Sequence, residues 1–446
     1  MRSLGIALVL IPALAAADPP KAKEPPKLTL DQVIAKAIAN PKVQMAQSDS
    51  DMANARIKEA DSAMYPKLKA TAFGTASPHI TCDDPGCTMT EPQNFAWDFK
   101  GVYVSGQVDL TQPLYTFGKI THARNAARAG LDAQRALVNE AAGDAASDAA
   151  RAYWGLKLAR ELGYMLDDGI ETIAKAQGNF DKRTDVTIQD RQRVAVLLAE
   201  AKARRAEAAQ GEAQALAGLR AITNTADADI DDAELVAVDK TLPAKNQLED
   251  VAKQRPQSVA AEAGAHAYDE LAKYQASYYF PDIAIVGFAF GAKAQGVTDP
   301  PGAFAYDPYN RIGAGLLLAM QWQIEPWTVK ARTERARAEA HKMKAQSELA
   351  TLGASYDAQT AVSEANAAKA KVGATAEGEK AARAWLASVL QNEAIGTAEA
   401  KDLADAYIAW FQMKARWLEA VYQWNVAVVR VGRATGEFRA GAPRPR

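Results

Sequence analysis

Few residues in this 446-residue chain are placed to do chemistry, and those few are carboxylates and cysteines. Asp402 and Asp405 stand three positions apart in Asp402-Leu403-Ala404-Asp405. On a helix that spacing puts both on one face. Like charges held close raise one another's pKa and attract cations. The same acids also fit a solvated first turn, where a carboxylate complements the helix dipole. Asp190 has a comparable setting in Thr187-Ile188-Gln189-Asp190. The two cysteines, Cys82 and Cys87, lie five positions apart in a Gly/Pro/Asp-rich stretch. In an exported chain they read as a disulfide that pins a loop tip. A zinc site is the other reading, but neighbouring His79 adds only one more ligand. The four histidines (His79, His122, His266, His341) are scattered and show no ligand spacing. No G-x-S-x-G, P-loop or Gly-rich dinucleotide fingerprint occurs. The chain therefore reads as no enzyme, with no cofactor or metal expected.

The elements that must position those acids begin with an export signal. Arg2, an apolar run from Leu4 to Leu14 and Ala15-Ala16-Ala17 form a basic, apolar and small-residue sequence. This is the pattern of a signal peptide over residues 1–17. No cysteine follows at residue 18, which excludes a lipoprotein anchor there. No segment approaches the roughly 20 apolar residues of a membrane-spanning helix. If the mature chain crosses a membrane, it must cross as strands closed into a barrel. The formal charge of −2 gives no basic surface for nucleic acid.

The mature chain is a tandem repeat. Asn40-Pro41 and Tyr65-Pro66 recur as Arg255-Pro256 and Phe280-Pro281, 215 positions later in each case. In each copy the second proline opens a strand-like run ending in Phe-Gly, at Gly74 and at Gly291. A polar loop, a second strand-like run and a very long Ala-rich helical stretch follow. Self-similarity of this kind reads as duplication. The expected organisation is an extended tether over 18–27 and a first helix-strand-strand-helix repeat over 28–223. An acidic connecting segment over 224–245 leads to a second repeat over 246–436, and 437–446 is a disordered tail. Leu28-Thr29-Leu30-Asp31 is expected to open one helix that runs to about Ala63, with Asp31 either its cap or simply solvated.

Gly118 to about Asn179 lacks proline and would extend on the order of 90 Å as a helix. Leu403, Tyr407, Trp410, Lys414, Trp417, Val421, Trp424, Val428 and Val431 recur in steps of four and three. That average of 3.5 is the period of a left-handed coiled coil. The aromatic stripe reads as packing, with Lys414 snorkelling at the break.

The strands alternate with period two. Val102, Val104, Gly106, Val108 and Leu110 interleave with Tyr103, Ser105, Gln107, Asp109 and Thr111. The second copy (Ile283, Ile285, Leu316, Leu318, Met320) is apolar on both faces. Each run spans about 8 to 11 residues, the length of a tilted transmembrane strand. Aromatic residues such as Tyr65, Phe99, Tyr115, Phe280 and Trp322 crowd the ends, as in an interfacial girdle. Four strands cannot close a barrel, and an open sheet in lipid leaves unpaired edges. Several chains must therefore pool them; two copies give eight strands and three give twelve.

The sequence resembles the TolC-like outer-membrane efflux protein family over nearly the whole mature chain. The residues that carry the resemblance are Leu28-Thr29-Leu30-Asp31-Gln32-Val33, Asn40-Pro41 and Tyr65-Pro66-Lys67-Leu68. They continue with Gln112-Pro113-Leu114-Tyr115, Phe117-Gly118, Ile395-Gly396-Thr397 and Asp402-Leu403-Ala404-Asp405-Ala406. The resemblance implies a mainly α fold, a homotrimer, and a twelve-stranded barrel continued by a long helical barrel through the periplasm. It implies an outer-membrane exit duct for efflux or type I secretion. The partners would be a periplasmic adaptor (a membrane fusion protein), an inner-membrane transporter and outer-membrane lipid. The family pattern puts Asp402 and Asp405 where the channel narrows, with Asp190 as their counterpart in the first copy. It places the helix tips, and with them an adaptor-docking surface, at Thr184, Asp185, Thr187, Ile395, Gly396 and Thr397. Ala398 stands where some members carry a basic residue that latches the closed state. The loops Thr75 to Lys100 and Ala292 to Asn310 would be extracellular. A soluble periplasmic adaptor or coiled-coil scaffold is the alternative reading.

Overall fold

The computed structural model describes residues 27–438, apart from 82–93, 183, 185, 245–246, 300–306, 308 and 396. The expected signal peptide, most of the tether, the Cys82–Cys87 pair and most of the tail lie outside the described residues.

The first repeat opens with a two-residue strand β1 (Lys27–Leu28) and helix α1 (Leu30–Ile38). Thr29, not Asp31, caps α1: Thr29 and Gln32 bond reciprocally across the first turn, and Asp31 stands in that turn. The single helix expected up to about Ala63 is two, because Asn40-Pro41 interrupts it. Pro41 supplies no amide hydrogen and sits at the first position of α2 (Pro41–Ser62), while Asn40, extended, accepts from the Lys42 amide. Pro256 likewise takes the first position of α6 (Pro256–Ala276), after an extended Arg255 that makes no side-chain capping bond.

Pro66 precedes β2 (Lys67–Thr81), which pairs antiparallel with β3 (Asn94–Tyr115). Pro281 precedes β5 (Asp282–Ala294), which pairs with β6 (Arg311–Gln321). The strands are longer than the expected 8 to 11 residues: β2 has 15 and β3 has 22. They run into the stretch expected as loop from Thr75 to Lys100. Alternation breaks there, at an irregularity around Pro78, while the backbone pairing continues. One four-stranded sheet results, in the order β2-β3-β5-β6.

Helix α3 (Lys119–Lys182) has 64 residues, and α7 (Pro326–Ala394) has 69. At 1.5 Å per residue each reaches roughly 100 Å. The shorter helices stack along them. Near the sheet α3 packs on α2 and α6; towards the other end it packs on α4 (Ile188–Thr223) and α8 (Ala400–Ala434). α7 packs on α6 and then on α8. Among the described residues no helix is long and apolar enough to cross a membrane.

The stacking points are tied by charge and hydrogen bonds. Asn40 Nδ2 donates to the Ile222 carbonyl at 2.7 Å, joining α2 to the end of α4. Arg255, only 1 % exposed, lies 3.0 Å from Asp357 and 3.7 Å from Glu140. Arg433 at the end of α8 meets Glu140 and Asp144 at 2.9 and 2.6 Å. Between the repeats the chain runs extended through β4 (Asp229–Ile230), parallel to β1, and reaches α5 (Leu248–Gln254). Lys157 of α3 holds this segment through Asp231 at 2.7 Å and the Ala233 carbonyl at 3.0 Å. Buried charges of this kind persist only when paired and bonded, so the connection is fixed to α3 at Asp231 and Ala233. Further on, Val236 and Val238 bond to Asn425 and Trp424 of α8.

Candidate functional site

The acids singled out by sequence sit at the end of the helices farthest from the sheet. α3 ends at Lys182 and α4 starts at Ile188. Thr187 caps α4: its hydroxyl accepts from the Asp190 amide at 3.2 Å and donates to the Asp190 carboxylate at 2.6 Å. Arg193 adds a contact to Asp190 at 3.5 Å. Asp190 is therefore engaged in starting its own helix. Thr184 is exposed in the turn, and Asp185 lies outside the described residues.

The second turn is built differently. The Asn392 carbonyl receives the Thr397 amide at 2.9 Å, the Thr397 hydroxyl at 3.1 Å and the Ala398 amide at 3.2 Å. Ile395 is left exposed, and Gly396 lies outside the described residues. Glu399 precedes α8 without a side-chain capping bond, and Asp402 falls in the first turn. There the carboxylate complements the exposed amide hydrogens. Asp402 and Asp405 are both exposed, while Leu403, Ala404, Ala406 and Tyr407 between and beside them are buried. Among the described residues neither acid has an ion-pair partner within the chain.

The buried face holds those acids in place. Ile173 and Phe180 of α3, Val194 and Leu197 of α4, Leu386 of α7, and Leu403, Tyr407 and Phe411 of α8 form one cluster. The Phe411 ring occupies the space where a side chain on Gly169 would stand, so the helices approach closely at that point. Burial pushes the Tyr407 hydroxyl up to about 12, so it stays neutral. Lys414 does not simply snorkel: its ammonium lies 4.4 Å from the centre of the Trp417 ring. Asn179 Nδ2 donates to Glu393 Oε1 at 3.0 Å and so joins the α3 end to the α7 end. Sequence reading missed this link, because its partners lie 214 positions apart and neither stands in a motif.

At the opposite end the sheet presents two chemically distinct faces. The register aligns Leu68, Ala70 and Ala72 with Leu110, Val108 and Gly106, and then with Gly287, Ala289 and Gly291. Across β5–β6, Ile283, Ile285 and Gly287 align with Met320, Leu318 and Leu316. This face carries no charge over its central span, and its large side chains are open, Ile312 at 91 % exposure. The other face carries Lys67, Lys69 and Thr71 opposite Thr111, Asp109 and Gln107. It continues in β5 and β6 with Phe288 and Phe290 opposite Gly315 and Gly313. Among the described residues the outer edges of β2 and β6 have no partner strand, apart from a bridge between Ile80, near the end of β2, and Val297.

The junction of sheet and helices is a bonded belt. Lys119 meets Asp282 at 2.8 Å, and Arg124 meets Asp61 at 2.7 Å. Glu270 accepts from His122, Asn125 and Lys273 at 2.8, 3.2 and 2.8 Å. Burial works to raise the Glu270 pKa, but these donors overcome it and hold the carboxyl down at about 2. Phe117 and Phe280 stack at 5.4 Å beside it. Among the described residues no cluster of His, Cys, Asp and Glu could hold a metal ion.

The sequence pattern of outer membrane efflux proteins matches residues 34–225. No curated protein matches the chain significantly by sequence. Solved structures match along nearly its whole length. The MtrE outer membrane channel of Neisseria gonorrhoeae, solved in an open state, is 20 % identical with a TM-score of 0.75, covering 91 % of this chain and 88 % of that one. The Campylobacter jejuni CmeC outer membrane channel is 14 % identical with a TM-score of 0.74, covering 99 % and 96 %. The outer-membrane channel OprN is 18 % identical with a TM-score of 0.75, covering 91 % and 89 %.

Proposed function

We propose that this chain, a TolC-like outer membrane efflux protein by its first-repeat signature and its fold, is the passive exit duct of a tripartite efflux or type I secretion system. It works in the outer membrane, with its long helices extending through the periplasm. The observation that carries this reading is the sheet. Its outer face is apolar and open, and among the described residues both of its edges lack a partner strand over the central span, the bridge from Ile80 to Val297 lying near the end of β2. An unpaired strand edge in hydrocarbon is prohibitive. Four strands per chain close only by joining β6 of one copy to β2 of the next. Three copies give twelve strands, within the range of known barrels. A soluble adaptor would have no reason to expose Ile312, Leu316, Leu318 and Met320 together on one face.

With the outer face in lipid, the face carrying Lys67, Lys69 and Asp109 lines the lumen. At the far end Asp402 and Asp405, repeated by threefold symmetry, form two carboxylate rings that favour cations. Asp190 contributes to the same acidic constriction from the α4 side while bonded to Thr187, the cap of its helix. Thr184, Asp185, Thr187, Ile395, Gly396 and Thr397 form the tips on which a periplasmic adaptor docks, and an inner-membrane transporter supplies the driving force. Ala398 offers no cationic latch, and the Asn179–Glu393 bond is a polar link that ties the tips of the two hairpins together.

The test is reconstitution in a planar bilayer. The wild-type protein should form a channel whose current is blocked by multivalent cations. Neutralising Asp402→Asn and Asp405→Asn together should raise the blocking concentration by at least tenfold, as expected for removing a paired-charge site. Unchanged block refutes the ring assignment. A mature protein that stays monomeric in water without detergent refutes the duct itself.

A further inference from the structure

One feature of the lumenal face is not explained by its being a conduit wall. Phe288 and Phe290 lie flat over Gly315 and Gly313: a Cβ on either glycine would sit 2.6–2.9 Å from ring carbons. The two rings are stacked side by side, 6.2 Å between centroids and 13° between planes. Packing a ring over a cross-strand glycine is a structural device in sheets, and it accounts for the placement of the rings. It does not account for Arg311. The Arg311 guanidinium lies 4.9 Å from the centre of the Phe290 ring, and among the described residues it meets no carboxylate. Among the described residues on the same face, the positive charges Lys67, Lys69 and Arg311 outnumber the acids Asp109, whose carboxylate accepts from Gln107 at 2.7 Å, and Asp282. Asp282, at the base of the sheet, is already taken by Lys119.

A guanidinium stacked on a ring keeps its N–H edges free, and that fork matches carboxylate and sulfonate oxygens. The adjacent rings offer a flat apolar surface for offset stacking. We propose that Phe288, Phe290 and Arg311 form a shallow binding station on the inner wall for small organic anions with a flat aromatic body. Three copies of the station would ring the barrel, so that anionic aromatic cargo leaving the helical tunnel is passed along the wall of the strands. The proposal rests on the reading that this face lines a closed barrel, and it names a cargo class for that duct.

The experiment uses the full-length protein in a planar bilayer, with probes added to the chamber on the strand side. 2-Naphthalenesulfonate is the aromatic anion, methanesulfonate the anion without a ring, and 2-(aminomethyl)naphthalene the aromatic cation. Block by 2-naphthalenesulfonate is expected at concentrations about tenfold below either control, the effect of adding a charge-assisted bond to a stacking contact. Arg311→Gln and Phe290→Leu should each abolish most of that preference, and Phe290→Tyr should keep it. Calorimetric titration of the same three probes onto nanodisc-embedded protein should give the same order whatever the state of the periplasmic tip. Equal affinity in wild type and Arg311→Gln, or stronger binding of the aromatic cation, overturns the station. A normal channel without selective block sinks this inference alone. A protein that forms no assembly and no channel sinks the duct reading and the station with it.

Discussion

Helices α4 and α8 hold matching places in the two repeats and are nearly equal in length, 36 and 35 residues. Their surroundings are opposite. α8 lies between α3 and α7 and buries residues along its whole length, from Ala400 to Ala434. α4 buries Val194 to Ala201 near one end and Leu219 and Thr223 at the other, and residues 202–218 include no buried position. The difference is one of place in the wall. In the order set by packing, α8 is an inner stave, whereas α4 is an edge that rests mainly on α3, with lesser contacts to α8 and α1. α7 is the other edge, and it exposes Leu349, Leu352 and Tyr356. The comparison shows how place in the wall sets a helix surface: the inner helix carries buried aromatic knobs, and the edge helix keeps a face for something outside the chain. In the proposed trimer, that something is the opposite edge of the next copy.

The comparison can be broken most directly in the core. Phe411→Ala removes a ring seated against Gly169 and should cost about 3–5 kcal/mol, the usual range for a buried Phe. Val196→Ala on exposed α4 should stay within about 0.5 kcal/mol. Denaturant unfolding of the detergent-solubilised protein, followed by far-ultraviolet circular dichroism, reads both. Similar losses at the two positions would mean that α8 is no better buried than α4.

The edge is probed by Tyr356→Glu, at a side chain 71 % exposed in the single chain. It should leave helicity unchanged and weaken trimer assembly by at least tenfold, because a charge placed in an apolar interface loses its water without gaining a partner. Native mass spectrometry in mild detergent reports the trimer fraction. An unaltered fraction would remove α7 from the seam.

The smallest effect concerns pH at the belt between sheet and helices. The Glu270 carboxyl is held at about 2, below its ordinary 4.5. A depressed acid contributes stability that is fully present above the ordinary value and is lost as pH falls towards the folded one. The stability difference between wild type and Glu270→Gln should therefore be constant above about pH 4.5 and shrink steadily towards pH 2. Unfolding measured across that range would expose a flat difference, which would mean that Lys273, His122 and Asn125 do not favour the charged form.

Much of this architecture was legible from residue order. The 215-residue offset placed Pro41 with Pro256 and Pro66 with Pro281, and each proline begins an element in the structure. The 3.5-residue seam of α8 is largely buried, from Leu403 to Val431. Local signals failed where two rules competed. The helix expected to about Ala63 runs across Asn40-Pro41, but the missing proline amide ends it there. Alternation ended β2 at Gly74, but backbone pairing, indifferent to side chains, carried it to Thr81. The acids were found as a spaced pair, yet their settings differ. Asp190 is tied to Thr187, whereas Asp402 and Asp405 face outward from a packed helix.

The sequence by itself determined that long helices alternate with pairs of strands and that one sheet face is apolar. Those properties follow from spacing, proline and side-chain type along neighbouring residues, and they need no knowledge of the partner. Only the tertiary structure decided that Phe288 and Phe290 cover Gly315 and Gly313, that Asn179 reaches Glu393, and that α8 is enclosed while α4 is not. Each of these depends on strand register or on which helix lies alongside. Register and neighbour are settled by the whole packed wall, because a shift of one residue or one stave would rearrange every contact at once.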